Sequence, residues 1–434
     1  VAGKVCYHGD MIVIEAKLKG KASQYAKLDE AIRTAQFVRN SCLRYWEDRQ
    51  GVTRNDLQKL CSKLAKNPES PWVKKLNSQA RQSSADRAWQ SISRFYTNCK
   101  QKVSGNKGYP KYKKFSRSVE YKKTGWRLSP DRKEIEFTDG FKAGKFELWT
   151  SRDWVFYSEP KIQRVRVVKR ADGYYCQFLI QWERKESHEF QGNVVGIDLG
   201  LKEFYTDSNG NTVENPRYLR LSEARLRRLQ RRVSKRYVKG KKQSKRYHKA
   251  RKALARQHLK VSRQRKDKAI KDALALVRSN DLIVFEDLKI NNLVKNHRLA
   301  KSISDASWYQ FVQWLQYFVK IYRTICIAVP PYHTTVNCSG CGHPVQKTLS
   351  TRTHQCPKCG LVLDRDWNAA RNILAKGLQV LAGYLNSTGG HLGTEVKSLN
   401  ARGENGLWLS DRDIGHLSRL VELRTDNFVG NPPL

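Results

Sequence analysis

Two C-x2-C pairs stand close together toward the C-terminal end of this 434-residue chain. They are Cys338–Cys341 and Cys356–Cys359, and a glycine follows each pair. Four thiolates at this spacing form a closed tetrahedral zinc site, which leaves no open position for catalysis. A redox pair is the alternative, but it needs only one C-x2-C. The spacing therefore predicts a structural zinc ribbon over residues 331–360.

Three acidic residues stand where strands and a helix are expected to place metal ligands. Asp198 closes an apolar run that begins at residue 194, Glu286 closes another that begins at residue 282, and Asp366 opens a helical stretch. Neighbouring buried strands that end at the same level would bring the first two carboxylates together. Two Mg²⁺ ions about 4 Å apart need hard oxygen ligands of this kind for phosphodiester hydrolysis. The pattern predicts metal-dependent cleavage of nucleic acid, with these three acids as the catalytic Mg²⁺ ligands.

Each acid also has a purely structural explanation when it is taken singly. An aspartate at a strand end often caps the following turn. An aspartate before a helix is a common N-cap, which applies to Asp366, and Asp364 is a rival for the same catalytic role. The order of two acids, a cysteine quartet and a third acid favours the metal site over these explanations.

The charge of the chain indicates a polyanionic partner. Its formal net charge is +43, from 83 Lys and Arg against 40 Asp and Glu. Phosphate backbones suit such a protein, because contacting cations release condensed counterions. An anionic membrane surface is the competing partner, but no apolar stretch approaches the ~20 residues that span a bilayer, and the N-terminus has no signal-peptide core. We expect a cytoplasmic protein that binds nucleic acid and no membrane.

Hydrophobic periodicity divides the N-terminal half. A short strand over residues 11–16 precedes three amphipathic helices, whose apolar residues lie between Tyr25 and Trp46, Leu57 and Leu64, and Ala85 and Cys99. Short β-prone runs follow to about residue 183, with a hairpin expected across Asp172-Gly173. A small β-barrel or sandwich interrupted by a helical bundle would explain both ends.

From residue 193 the pattern indicates mixed α/β structure. Between Arg217 and Lys271 there are 24 Lys or Arg against two acids, and interspersed leucines predict a pair of basic helices there. A helix with an aromatic stripe from Trp308 to Tyr322 is expected to pack in a core. Beyond about residue 378 the periodicity ends, which predicts a poorly ordered tail over 381–434 with one weak helix around Ile414–Leu423.

These motifs together resemble the TnpB family of transposon-encoded RNA-guided nucleases, over roughly residues 1–378. The most specific segments are Gly196-Ile197-Asp198-Leu199-Gly200, Phe285-Glu286-Asp287-Leu288, the cysteine ribbon, and Asp364-Arg365-Asp366-Trp367-Asn368-Ala369-Ala370. Gly108-Tyr109-Pro110-Lys111-Tyr112-Lys113 also fits. The resemblance implies that Asp366, rather than Asp364, is the third catalytic acid, and that Asn368 supports it.

The resemblance implies an α+β multidomain fold. An N-terminal wedge-like β-barrel (1–20 and 105–185) would be interrupted by a helical recognition bundle (21–104). An RNase H-like RuvC α/β nuclease domain (186–330 and 361–380) would follow, with the inserted zinc ribbon (331–360) binding the target nucleic acid. The implied partners are a guide RNA from the transposon right end and double-stranded target DNA, cut beside a short motif by a protein that is a monomer in its ribonucleoprotein.

Three other functions share parts of this pattern. A compact type V CRISPR effector would have the same acids and ribbon but a CRISPR-derived guide. An RNA-guided DNA-binding regulator would lack cleavage, and the three intact acids argue against it. A transposase that joins strands would need no guide RNA.

Overall fold

The computed structural model describes residues 11–150, 161–348 and 350–387, together with two short strands at 395–397 and 406–408. The chain divides into two compact units, Val1–Arg184 and Lys185–Leu434. The weak helix predicted around Ile414–Leu423 lies outside the described residues.

The N-terminal unit contains one sheet whose first strand is separated from the others by a helical bundle. Its strands are β1 (Met11–Lys19), β2 (Ser118–Tyr121), β3 (Trp126–Leu128), β4 (Glu134–Phe137), β5 (Lys145–Trp149), β6 (Ile162–Arg170) and β7 (Gly173–Gln181). Its helices are α1 (Ala22–Glu47), α2 (Arg54–Lys66) and α3 (Ser78–Lys100), with a 3₁₀ turn at Pro71–Lys75. The three predicted helices are confirmed.

The seven strands of this unit form an antiparallel sheet in the order β2-β6-β7-β1-β5-β4-β3. The predicted hairpin is β6–β7, and Arg170 pairs with Gly173 across its turn. The described strands do not pair β2 with β3, so the closed barrel stays a prediction. One apolar face of the sheet packs on α1, through residues such as Phe178, Leu28 and Ile32.

The helical bundle has its own small core, which includes Val38, Leu57 and Ile92. At its edge the Asp86 carboxylate accepts from Arg54 Nε at 2.8 Å and lies 2.9 Å from Lys122 Nζ. Burial opposes ionisation of Asp86, but these cations lower its pKa to about 2. The ionised carboxylate therefore links α2 and α3 to the residue that follows β2.

The C-terminal unit is built around a five-stranded mixed sheet. Its strands are β8 (Val194–Leu199), β9 (Glu203–Asp207), β10 (Thr212–Glu214), β11 (Leu282–Glu286) and β12 (Ile325–Val329), in the order β10-β9-β8-β11-β12. Its helices are α4 (Tyr218–Ser234), α5 (Lys245–Ser279), α6 (Ile290–Leu293), α7 (Ala300–Ala306), α8 (Trp308–Tyr322) and α9 (Arg365–Ser387). A hairpin of β13 (Thr353–Gln355) and β14 (Val362–Asp364) precedes α9.

Helices cover both faces of this sheet. Residues 195, 197, 283 and 285 pack with α5 and α8, including the aromatic stripe of α8 that was expected in the core. Residues 194, 282 and 284 pack with α9 through Ile373, Leu374 and Leu378. Since successive side chains in a strand point to opposite faces, the even-numbered positions of β8 and β11 face α9.

The basic segment forms two helices, α4 and α5, as predicted. Asp305 of α7 accepts hydrogen bonds from the backbone N–H groups of Leu219 and Arg220, and so caps α4. The same carboxylate pairs with Arg265 of α5 at 2.7 Å. One buried acid thus holds both helices in place, while most of their Lys and Arg side chains face solvent.

The prediction that order ends near residue 380 was wrong. Helix α9 continues to Ser387, because Leu378 and Leu381 extend its buried face over the sheet. Two short strands, β15 (Glu395–Lys397) and β16 (Gly406–Trp408), pair antiparallel beyond it. The described helices include no segment with both the length and the hydropathy of a membrane span.

Candidate metal centre and carboxylate site

The two C-x2-C pairs form two equivalent turns. In the first, Gly342 N–H donates to the Cys338 carbonyl at 2.8 Å, and Cys338 N–H donates to the His343 carbonyl. The second turn repeats both bonds around Cys356: Gly360 N–H donates to the Cys356 carbonyl at 3.0 Å, and Cys356 N–H donates to the Leu361 carbonyl at 2.9 Å. Both glycines have φ near +75°, where a Cβ is disfavoured. This explains why glycine follows each cysteine pair.

The four sulfurs meet at one point. All four Sγ atoms lie within 4.8 Å of one another, and the Cys338–Cys359 and Cys341–Cys356 pairs are each 3.6 Å apart. A tetrahedron with Zn–S bonds of ~2.3 Å has edges of about 3.8 Å. The quartet therefore fits a tetrahedral zinc ion, and all four predicted ligands are brought together.

Asp198 and Glu286 lie side by side on one face of the sheet. Strands β8 and β11 are parallel, and Phe285 is in register with Ile197, so the two acids follow at the same level. Both occupy even-numbered positions, which face α9. This juxtaposition is the one that the sequence predicted.

Helix α9 lies close against this face, and its N-terminal end carries Asp366. At Gly196 of β8, a Cβ would lie 2.4 Å from the Ala370 carbonyl oxygen. Trp367 packs its ring on Gly210 in the turn after β9, and its Nε1 donates to the Ser208 carbonyl at 3.0 Å. These contacts fix the start of α9 beside the end of β8.

The three carboxylates interact electrostatically. Burial raises the pKa of Asp198 well above its usual value, and the charges of Glu286 and Asp366 raise it further. Among the described residues, the oxygens of these three acids do not form a cluster as tight as that of the four cysteine sulfurs. Asp198 and Glu286, both of raised pKa, form with the neighbouring charge of Asp366 a site that a divalent cation would stabilise.

Thr334 holds the Glu286 carboxylate. Its hydroxyl donates to Glu286 Oε1 at 2.6 Å, and both side chains are buried. Burial raises the pKa of Glu286, whereas this hydrogen bond and the charge of Lys376 lower it. Thr334 therefore favours the ionised form that a metal ligand requires.

The structure separates the roles of Asp364 and Asp366. Asp364 Oδ1 accepts from the backbone N–H groups of Asp366 at 2.8 Å and Trp367 at 3.3 Å, which makes Asp364 the N-cap of α9. The Asp366 side chain instead pairs with Arg365 at 2.9 Å and Arg352 at 3.5 Å. The sequence left open that Asp366 is the N-cap of this helix; in the structure the N-cap is Asp364.

Asn368 connects α9 to the cysteine ribbon and does not hold the Asp366 carboxylate. Its Oδ1 accepts from Ser339 N–H at 2.9 Å, and its Nδ2 donates to the Asn337 carbonyl at 2.9 Å. These groups flank Cys338. One turn later, Asn372 donates to the carbonyls of Asn337 and Thr334, each at 2.7 Å. The hydrogen bonds of the Asn368 side chain therefore attach the ribbon to α9 and do not contact the Asp366 carboxylate.

Sequence reasoning missed Thr334, Asn372 and Arg352. Each contacts a partner at least 14 positions away along the chain. Thr334 and Arg352 lie in no periodic pattern, and none of the three has a spacing typical of metal ligands. The spacing of Asn368 and Asn372 by one helical turn was the available signal.

Two protein families match successive stretches of the chain. The family OrfB_IS605, described as "Probable transposase", matches residues 177–297, which include Asp198 and Glu286. The family described as "Cas12f1-like, TNB domain" matches residues 308–373, which include the cysteine quartet and Asp366.

Curated relatives extend these matches. A protein of Streptomyces pristinaespiralis named "Putative RNA-guided DNA endonuclease" is 39% identical over 190 residues, which are 43% of this chain and 46% of the relative. The Escherichia coli K12 protein "Putative RNA-guided DNA endonuclease InsQ" is 27% identical over 336 residues, or 72% of this chain and 78% of the relative. The chain thus spans less than half of the first relative's length.

A solved structure shares the fold. The cryo-EM structure of a Cas12f1–sgRNA–target DNA complex superposes with a TM-score of 0.50 and 14% identity, covering 81% of this chain and 82% of that one. At this identity the likeness shows the fold alone.

Proposed function

Because this chain belongs to the TnpB family, we propose that it is an RNA-guided DNA endonuclease of an insertion sequence. It would cut guide-complementary double-stranded DNA next to a short transposon-adjacent motif. The names of its relatives and the net charge of +43 support nucleic-acid partners. The observation that carries the nuclease activity is the arrangement of Asp198, Glu286 and Asp366 where β8, β11 and α9 meet.

The mixed sheet and α9 are assigned to an RNase H-like RuvC nuclease domain, with the cysteine ribbon holding structural Zn²⁺. Asp198, Glu286 and Asp366 would hold two Mg²⁺ ions, which when bound stabilise charge at the scissile phosphate and activate water. Thr334 orients the Glu286 carboxylate, and its hydrogen bond favours the ionised form against the effect of burial. The ribbon fixes the start of α9, and with it Asp366, through Asn368. The guide is proposed to come from the transposon right end, and the protein to be a monomer in its ribonucleoprotein.

Alanine variants of the three acids test the nuclease assignment. Each removes a charge that positions Mg²⁺, so cutting should be lost while guide and target binding, which rest on basic surfaces such as α4 and α5, should persist. Asp364→Ala is the matched control: it loses an N-cap, at a cost of ~1 kcal/mol in stability, and should cut far better than Asp366→Ala. Cutting by all three variants, or an essential Asp364, would refute the assignment.

Sequencing the RNA that copurifies with the protein tests the guide. RNA that maps to a transposon end is expected, whereas CRISPR repeats would identify a type V effector. Cutting that needs no RNA would indicate a transposase, and RNA-guided binding by wild type without any cutting would indicate a regulator.

A further inference from the structure

A cluster of cationic side chains lies where the helical bundle meets the sheet in the N-terminal unit. Arg39 comes from α1, Arg87 from α3, and Lys113 from the segment that follows the bundle. Burial lowers the pKa of Lys113 to about 8, and repulsion from three neighbouring arginines, which are Arg87, Arg39 and Arg166, contributes. The amine and the guanidinium groups are therefore close together and partly removed from water.

One carboxylate, that of Glu120, lies near this cluster, and both of its oxygens already accept hydrogen bonds from other arginines. Glu120 of β2 is 4% exposed and accepts from Arg166 at 2.6 and 2.9 Å and from Arg164 at 3.2 Å. In the parts of the chain that the structure describes, no acid forms an ion pair with Arg39, Arg87 or Lys113. Five cations thus share one anion.

The remaining contacts of the cluster are neutral. Arg39, itself 8% exposed, donates to the Lys111 carbonyl at 3.2 Å, and Arg87 donates to Ser118 Oγ at 3.3 Å. Lys113 is fixed through its backbone, which exchanges two 3.0 Å hydrogen bonds with the Asn40 side chain. Neutral acceptors satisfy donors but do not compensate charge, and a desolvated charge without a counterion is costly.

We propose that Arg39, Arg87 and Lys113 form a binding site for a backbone phosphate of nucleic acid. Guanidinium groups match the oxygens of a phosphate in geometry and charge, and a phosphodiester supplies the anion that the cluster lacks. The inference rests on the nucleic-acid binding in the proposed function and is independent of cleavage.

Lys113→Gln tests the site against Lys114→Gln, which removes the same charge from an exposed side chain one position along. Affinities for a labelled single-stranded RNA and a labelled DNA duplex are measured over a range of salt concentrations. We expect Lys113→Gln to weaken binding about tenfold, as loss of a charge-assisted hydrogen bond does, and to reduce the salt slope by about 1. The free Lys113→Gln protein should also melt at a higher temperature than wild type, because repulsion is relieved.

Stability and affinity should therefore change in opposite directions, which a purely structural lysine would not produce. Arg87→Gln is a second variant with the same expected signature. If the variants weaken binding of the RNA alone, the phosphate belongs to the guide. If they weaken binding of the duplex alone, it belongs to the target DNA. If they weaken both, guide and target use the same site. Binding by Lys113→Gln and Arg87→Gln that equals that of Lys114→Gln would overturn the site. A wild-type protein that binds neither probe would instead refute the proposed function.

Discussion

Helix α9 can lie on the sheet only because Gly377 lacks a side chain. A Cβ built there would lie 2.4 and 2.5 Å from the two Cγ atoms of Val284 and 3.0 Å from its Cβ. Rotation of the valine cannot relieve this overlap, because both of its branches are involved. Ordinary carbon contacts are about 3.5–4.0 Å, so Gly377→Ala should push α9 away from β11 by about 1 Å.

Two consequences of this displacement can be measured. Overpacking of this kind costs about 1–3 kcal/mol in the free energy of unfolding, measured by denaturant titration. A displacement of about 1 Å at a catalytic group can lower the rate about 10²-fold, so cleavage by folded protein should fall by that order, since α9 carries Asp366. Guide binding should change little.

The same helix offers a matched control. Gly383 has no atom within 4 Å of its Cβ position, so Gly383→Ala should be neutral or stabilise by about 0.5–1 kcal/mol. Val284→Ala removes the two Cγ atoms that clash most severely, so it should cost less in the Gly377→Ala background than in wild type, as a double-mutant cycle would show. If Gly377→Ala is as stable as Gly383→Ala, the packing argument is wrong. If it is destabilised but its folded fraction cuts at the wild-type rate, α9 does not set the position of Asp366.

Three further variants test other contacts. Asp86→Asn should lower stability by about 2 kcal/mol near pH 7, and the difference should close as the pH falls through 3.8 toward about 2, because the lowered pKa stabilises the fold only while the carboxylate is ionised; chemical unfolding at several pH values measures this. Thr334→Val should raise the pH at which cleavage is half-maximal, since Glu286 loses the hydrogen bond that lowers its pKa, and Thr334→Ser should restore the profile. Cys356→Ser should lose one equivalent of zinc by elemental analysis and speed hydrogen exchange over residues 331–360.

The parts of the structure that the sequence predicted well depend on local patterns. The pairing of Asp198 and Glu286 follows from two apolar runs of similar length that end in an acid, because such runs form neighbouring buried strands. The cysteine quartet follows from spacing alone. The amphipathic helices were identified by their three- and four-residue periodicity.

The parts that were missed depend on contacts between distant segments or on hydrogen-bond direction. Asp364 and Asp366 are both acids at the start of one helix, and only the backbone geometry shows that Asp364 is the cap. Asn368 was expected to support Asp366, and its side-chain amide makes its hydrogen bonds to backbone groups about 30 positions earlier. The continuation of α9 was missed because Gly377 and Gly383 interrupt its pattern, although Leu378 and Leu381 keep the helix on the sheet.

The ribbon is joined to α9 without a linker, since Asp364 is at once the last residue of β14 and the cap of the helix. Asp364 also pairs with Thr353 across the hairpin, so its position is fixed from both sides. One residue inserted between Leu361 and Arg365 would break that pairing or turn the helix by about 100°, which would carry Asp366 away from the sheet. The interval from Cys359 to Asp366 should therefore keep its length among natural variants of this chain, whereas a change of length between Gly342 and Arg352 would leave the β13–β14 pairing intact.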